Sequence, residues 1–278
     1  MMCECMNVSR SGYYKFLKSE PSVRSQENNA LVDEIKDVHK ESRKTYGSPR
    51  VHQELVARGF EVNKKRVARL MAKEGIVGRR KPKFRKTTDS NHDDPIAPNL
   101  LNREFEVDKP DTAWVADMTY VWTIEGWVYL AVIIDLFSRR VVGWSIADHM
   151  RTELVLDALR AALGSRVPEI EGLIFHSDRG SQYAAADYRT LLSVAGITAS
   201  MSRRANCWDN AVAESFFSTL KTEFVHNEIF LTKDSAATGI AEWLEVFYNR
   251  KRRHSSIGYV SPADYERHYD ERVGPLAA

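Results

Sequence analysis

WVADMTYVWTIEGWVYLAVII, residues 114–134, sets two β-strand patterns back to back, each rich in Val, Ile, Tyr and Trp, with Glu125-Gly126 as a good hairpin turn between them. VVGWSI, 141–146, follows after the connector FSRR, so three consecutive strands predict a meander. The texture then alternates. Leu154, Val155, Ala158, Leu159 and Ala162 predict a helix over 153–163, an apolar run predicts a strand over 173–175, and a helix over 184–194 and a strand over 197–200 follow. The order βββαβαβα predicts an α/β protein, a mixed sheet with helices on its faces.

Two carboxylates sit badly in that scheme. Asp117 lies mid-strand among apolar residues, where an Asp is disfavoured and costly unless it is paired, hydrogen-bonded or bound to a metal. Asp178, in HSDRGSQY (176–183), stands just where the strand at 173–175 runs out, and the carboxyl ends of strands are where α/β proteins bind ligands. A third belongs with them. Over residues 210–221, Val212, Phe216 and Leu220 define one helix face, and Glu214 falls on the opposite, polar face with Asn210, Ser218 and Lys221. On its own such a face is solvent-exposed surface; beside Asp117 and Asp178 it is a candidate site.

The front of the chain has another character. Residues 1–90 hold 21 Lys and Arg against 11 Asp and Glu, whereas 91–278 hold 19 against 27, although the whole chain carries only +2. A basic front half implies a polyanionic partner, most simply nucleic acid. Leu31, Ile35 and Val38 predict a helix over 27–43; Ser48-Pro49 predicts the capped start of a second, ending near Gly59. Asn63 predicts the cap of a third, running through Glu74 with Val67, Leu70 and Met71 inward and Lys64, Lys65, Arg66, Arg69 and Lys73 largely outward. Three helices with a basic last one suggest a helix-turn-helix. RRKPKFRK, 79–86, then places six cations in eight positions, suited to sequence-independent phosphate contact through Arg79, Arg80 and Lys81, and runs into a polar linker.

With 278 residues and 43% hydrophobic content the chain can bury proper cores. It has no apolar run of the roughly 18 residues a membrane span needs and no signal-peptide pattern at its start, so a cytoplasmic protein is expected. Cys3, Cys5 and Cys207 fit neither a disulfide framework nor a zinc spacing.

These blocks resemble the integrase-like DDE transposases, in particular the OrfB-type proteins of insertion sequence family three. The resemblance spans residues 25–268 and rests on Trp114-x-x-Asp117-Met-Thr-Tyr120, Asp135-x-Phe-Ser-Arg139, HSDRGSQY, Asn210-x-x-x-Glu214-Ser-Phe-Phe217 and the tail from Tyr248 to Pro262. Thirty-five residues separate Asp178 from Glu214, the interval by which the family is known, and Lys221 matches its basic position. The resemblance implies a ribonuclease-H-like core with a helix-turn-helix region in front. It implies Asp117, Asp178 and Glu214 as catalytic metal ligands for two Mg²⁺ ions, with Mn²⁺ as a substitute. It also implies DNA contacts at Lys221, Arg203, Arg204, Arg250 and Arg253, and at Asn210 either a DNA contact or the cap of its own helix, while Asp135 fixes the turn before Ser138-Arg139 and stays outside the catalytic set, and His176 is either an organiser of the Asp178 loop or a locally satisfied histidine.

The expected domains are an extension over 1–24, a helix-turn-helix over 25–80, a basic linker over 81–105, the catalytic core over 106–230 and a C-terminal helix with basic tail over 231–278. The expected partners are double-stranded DNA, both terminal inverted repeats and target, further copies of the chain on that DNA, and an upstream-frame half that supplies the coiled coil missing here. No membrane is expected. Two other readings compete: a helix-turn-helix repressor or accessory factor without catalysis, which has no use for three carboxylates, and a nuclease acting on RNA–DNA hybrids, which has no use for the basic front.

Overall fold

The computed structural model describes residues 2–79, 95–166, 172–203 and 207–274. Two compact units divide the chain, Met1–Arg79 and Arg80–Ala278. The first is helical: α1 (Met2–Cys5), α2 (Arg10–Lys18), α3 (Val23–Glu41), α4 (Ser48–Ala57) and α5 (Lys64–Lys73). Leu31, Ile35 and Val38 of α3 pack with Val51 and Leu55 of α4 and with Val67, Leu70 and Met71 of α5. This is the core that the apolar spacing predicts. Asn63 caps α5, its side chain accepting from the backbone N–H of Arg66 at 2.8 Å. The start of α4 differs by one residue. Gly47 holds the cap position without a side-chain bond, and Ser48 is already helical ahead of Pro49, whose fixed φ suits the first turn.

The second unit is built on a five-stranded sheet in the order β3-β2-β1-β4-β5. Its strands are β1 (Ala113–Thr123), β2 (Gly126–Asp135), β3 (Val141–Ala147), β4 (Ile174–Ser177) and β5 (Thr198–Met201). The first three form the antiparallel meander; β4 and β5 add parallel to β1. The hairpin turn sits one residue earlier than predicted. Thr123 pairs with Gly126, so Ile124 and Glu125 are the loop and Gly126 opens β2 at φ 111°, a conformation glycine adopts without strain.

Helices α6 (Thr152–Ser165), α7 (Ser181–Ala184) and α8 (Ala186–Val194) cover one face of the sheet; α9 (Ala211–Glu223) and α10 (Lys233–Glu242), continued by a wider-wound turn over Trp243–Tyr248, cover the other. The helix predicted over 184–194 is α8, which begins two residues later, after the extended Ala185 that separates it from the short α7. A last helix, α11 (Pro262–Val273), ends the described chain. Close approach fixes one contact: a side chain at Gly143 in β3 would put its Cβ 2.4 Å from the carbonyl oxygen of Ala158 in α6.

Strand alternation decides which carboxylates can meet. In β1 the odd positions Ala113, Val115 and Val121 join the core beneath α9 and α10, and the even positions Trp114 and Ala116 join the core beneath α6 and α8. Asp117 is odd. It therefore stands on the α9 side of the sheet, the side from which Glu214 comes.

Candidate active site

Asp117 and Asp178 are neighbours by register. In the parallel β1–β4 pair Ala116 lies opposite Ser177, so the two carboxylates follow directly at the same level, one mid-strand and one at the carboxyl end of β4. The loop after β4 is shaped by Asp178 itself, whose Oδ1 accepts the backbone N–H of Gly180 at 2.9 Å. Arg179 donates to the carbonyl of Ser202 at 2.6 Å, and Ser202 donates its backbone N–H to the carbonyl of Ser177 at 2.9 Å, so this loop is tied to the chain leaving β5.

Glu214 is brought over by α9. Ala213, Phe216, Phe217 and Leu220 of that helix are buried, with Val212 packed against the same core, while Glu214, Ser218 and Lys221 remain half-buried, as the predicted helix face requires. The entry to α9 is held at the site. Asn210 is buried and donates from Nδ2 to the carbonyl of Ala116 at 3.1 Å, one residue before Asp117, so it pins the helix to β1 and does not cap its own helix.

Electrostatics show that the three acids share one neighbourhood. The Asp117 carboxyl is held well above the ordinary carboxylate range, first by burial, then by the charge of Asp178 and, further, by that of Glu214; the backbone N–H of Met118, donating at 2.7 Å, and the Lys221 ammonium act in the opposite direction. Lys221 is in turn pulled down by burial and supported by Asp117, and its Nζ lies 5.1 Å from the centre of the Tyr120 ring. Tyr183 belongs to the core beneath α6 and α8, within electrostatic reach of the site: its buried hydroxyl has no hydrogen-bond partner among the described residues, and burial, Tyr188, Asp117 and Asp178 all resist its ionisation. Sequence reading ends a motif on Tyr183 but assigns it no task.

The donor set suits a hard divalent cation. All three candidate ligands are carboxylate oxygens, and a cation would relieve the repulsion that raises Asp117. No group of three His, Cys, Asp or Glu side chains among the described residues is already set to hold a metal ion.

Other predicted positions have plainer surroundings. His176 is buried between the hydroxyls of Ser200 and Ser202, at 2.8 and 3.1 Å, and burial lowers its pKa to about 4, so it is a neutral, locally satisfied histidine. Arg203 donates from Nε and a terminal nitrogen to Asp209 at 2.9 and 2.8 Å, and the buried Asp209 also accepts from Asn99 and Arg103. Arg253 donates to the carbonyl of Tyr259, whereas Arg250 is exposed. In the helical unit Lys64, Lys65, Arg69 and Arg79 are exposed and Arg66 is bonded to Asn28 and Glu27 of α3. Arg80, Lys81 and Arg204 lie outside the described residues.

Asp135 holds the turn before Ser138 and Arg139, the structural task expected of it. Its carboxylate accepts the backbone N–H groups of Phe137 at 2.8 Å and Asp111 at 3.2 Å, fixing the β2–β3 connector, and burial pushes its pKa up to about 7 despite those donors. Arg166 stands 3.7 Å from it and also reaches Asp111 and Glu266.

Comparison with known proteins agrees with this architecture. An integrase core domain model matches residues 107–207, a second integrase core model matches 195–262, and an HTH-like domain model matches 26–84. The chain is 38% identical over 267 residues to the transposase InsF for insertion sequence IS3A of Escherichia coli K12, covering 95% of this chain and 92% of that one. The chain belongs to the IS3-family transposases. It is also 47% identical over 270 residues to an uncharacterised 31 kDa protein of insertion element IS600 from Shigella sonnei, covering 97% of this transposase and 99% of that protein. A solved chain from a simian T-cell lymphotropic virus intasome, in complex with PP2A regulatory subunit B56 gamma, aligns with 88% of this transposase and 77% of its own length at a TM-score of 0.49 and 14% identity. The transposase is a DDE-type enzyme whose integrase core follows a helical HTH-like domain in the chain. Among its described residues no helix is long and apolar enough to cross a membrane.

Proposed function

We propose that Asp117, Asp178 and Glu214 are the catalytic carboxylates with which this transposase cleaves the ends of its insertion sequence and joins them to target DNA. In the first step a water oxygen bonds to phosphorus and the bond to the departing 3′-oxygen breaks, freeing a 3′-hydroxyl. In the second, that hydroxyl attacks a target phosphodiester and another 3′-oxygen departs. The observation that carries the reading is the β1–β4 register that sets Asp117 beside Asp178, with Glu214 of α9 close enough for its charge, after burial and that of Asp178, to raise the Asp117 carboxyl.

Two Mg²⁺ ions bound by the three acids would stabilise the attacking and leaving oxygens of an in-line displacement. Asp117, beside Asp178 in register, would be the ligand shared between the two ions. Asp178 supplies the second ligand from a loop already braced by Gly180, Arg179 and Ser202, and Glu214 the third from a helix anchored through Asn210. Lys221 supplies positive charge for a phosphate of the bound strand. Lys64, Lys65, Arg69, Arg79 and Arg250, all exposed, are available to the duplex outside the site. The partners that follow are element ends and target DNA, further copies of the chain on that DNA, and an upstream-frame protein, in the bacterial cytosol.

A purified chain should nick and join element-end DNA in Mg²⁺ but not in EDTA, and Asp178→Ala should lower joining by at least about 10³-fold while still binding the ends. Equal joining by Asp178→Ala and wild type would refute the assignment. DNA binding without any metal-dependent nicking would favour the repressor reading.

A further inference from the structure

The β1–β2 hairpin keeps three large rings in solvent. Tyr120, Trp122 and Trp127 are 42%, 56% and 44% exposed. Tyr120 and Trp122 lie on the even face of β1, where Trp114 and Ala116 are covered from α6 and α8, but that cover stops before the hairpin end. On the other face Val121 and Val128 are buried. The rings pack edge to face, Tyr120 to Trp127 at 5.0 Å and Trp122 to Trp127 at 4.8 Å between centroids, so they form one contiguous apolar surface. Its backbone is held in place. Ile124 donates its N–H to the carbonyl of Phe230 at 3.0 Å, Glu125 accepts the N–H of Lys233 at 2.9 Å, and the Thr123 hydroxyl donates across the turn to Gly126 at 2.7 Å.

Charge indicates what covers this surface. Lys221 lies over the Tyr120 ring and its ammonium also acts on Asp117, so a single cation joins the aromatic patch to the carboxylate site. A nucleic-acid strand matches both elements at once, offering phosphates to the lysine and base faces to the rings. Tyr120 and Trp122 stand on the face of β1 opposite to Asp117, and β4 pairs with β1 only over Ala113–Ala116, so a bound strand reaches the rings around the β1 edge beyond β4. Spacing narrows the match. At about 3.3 Å per residue, Tyr120 and Trp122 lie roughly 10 and 17 Å along β1 from Asp117. At about 3.4 Å per stacked nucleotide that is about three to five nucleotides.

We infer that Tyr120, Trp122 and Trp127 form a stacking platform for unpaired bases about three to five nucleotides from the phosphodiester at Asp117. The inference rests on the reading that a DNA strand is bound at that carboxylate. Unpairing near the attacked bond would then be stabilised by the protein, and ends already frayed or extended would bind better than blunt ones.

The test compares a DNA duplex carrying a five-nucleotide single-stranded extension with the same duplex blunt, in Mg²⁺, with 2-aminopurine placed along the extension. The full chain should prefer the extended duplex and quench 2-aminopurine at the third to fifth nucleotides. The double variant Trp122→Ala, Trp127→Ala should lose that preference by about tenfold or more and lose the quench, with an unchanged melting profile, since both rings are largely exposed. Phenylalanine at both positions should restore it. No preference in wild type, or a preference intact in the double alanine variant, overturns the platform; a drop in oligomer size with DNA binding intact assigns the patch to a second copy of the chain instead. Asp178→Ala should stack like wild type yet fail to join, so loss of stacking and loss of the catalytic reading are separate results.

Discussion

Two sets of three carboxylates lie in the same unit of this transposase, and they are answered differently. Asp111, Asp135 and Glu266 gather around arginines. Glu266 of α11 accepts from Arg166 and Arg140, both at 2.6 Å, and from Ser138 at 2.7 Å, and Arg166 reaches Asp111 and Asp135 as well. Although burial pushes Glu266 up, these donors together hold it below its ordinary value. Asp117, Asp178 and Glu214 gather around one another, and Asp117 ends well above its ordinary value, with Lys221 as the opposing cation acting on it. In the first set the arginines outweigh burial at Glu266 and fasten α11 to the sheet, while burial raises Asp111 and Asp135. Arginines that outweigh burial at Glu266, against burial and like charges that together raise Asp117, separate the central carboxyl of one cluster from that of the other.

That contrast can be broken by measurement. The largest effect belongs to Glu266: its replacement by alanine strands Arg166 and Arg140 and should lower unfolding free energy by about 3–5 kcal/mol in urea titration. Its sign with pH is fixed. Glu266 has a lowered folded-state pKa, so its contribution is present above the unfolded value of roughly 4.3 and is lost as pH falls below it; wild type and Glu266→Gln should differ at pH 7 and converge in acid. Convergence at pH 7 would mean the arginines do not depend on it.

The next effect is on the other set. Mg²⁺ at one hundred times its dissociation constant should stabilise the wild type by about 2.7 kcal/mol, read as a rise in melting temperature, and should leave Asp117→Asn nearly unmoved. Equal Mg²⁺ stabilisation of both would place the cations elsewhere. The smallest effect is the most diagnostic. Without divalent ions, Asp117→Asn removes a like charge from the cluster and should stabilise the fold by about 1 kcal/mol, the usual size of a gain at a strained functional site. A loss of stability would show Asp117 to be a structural residue like Asp135.

The sequence was most informative where local rules act alone. Apolar spacing placed Ile35, Leu55 and Leu70 in a helical core, alternation of Val and Ile placed β2 in the sheet, and Asn63 announced its cap. The odd-numbered face of β1 and the polar face of α9 could be read from periods of two and 3.6 residues, which put Asp117 and Glu214 on facing surfaces. The hairpin slipped by one residue because Gly126 tolerates positive φ either inside the loop or just after it. Residues distant in sequence left no such trace. Nothing local in Asp111 or Glu266 marks them as partners of Arg166, and nothing in Asn210 marks the carbonyl of Ala116 as its acceptor.

The chain order and the residue types therefore determined that strands would form, which faces they would bury and which three acids were worth suspecting, because hydrogen-bonding geometry and side-chain period are local properties of a polypeptide. Which acids stand at one level of one sheet, and which have arginines beside them, was decided only by tertiary packing. Register between β1 and β4 is set across about sixty residues of intervening chain, and electrostatic free energy depends on distances through space that no sequence interval encodes.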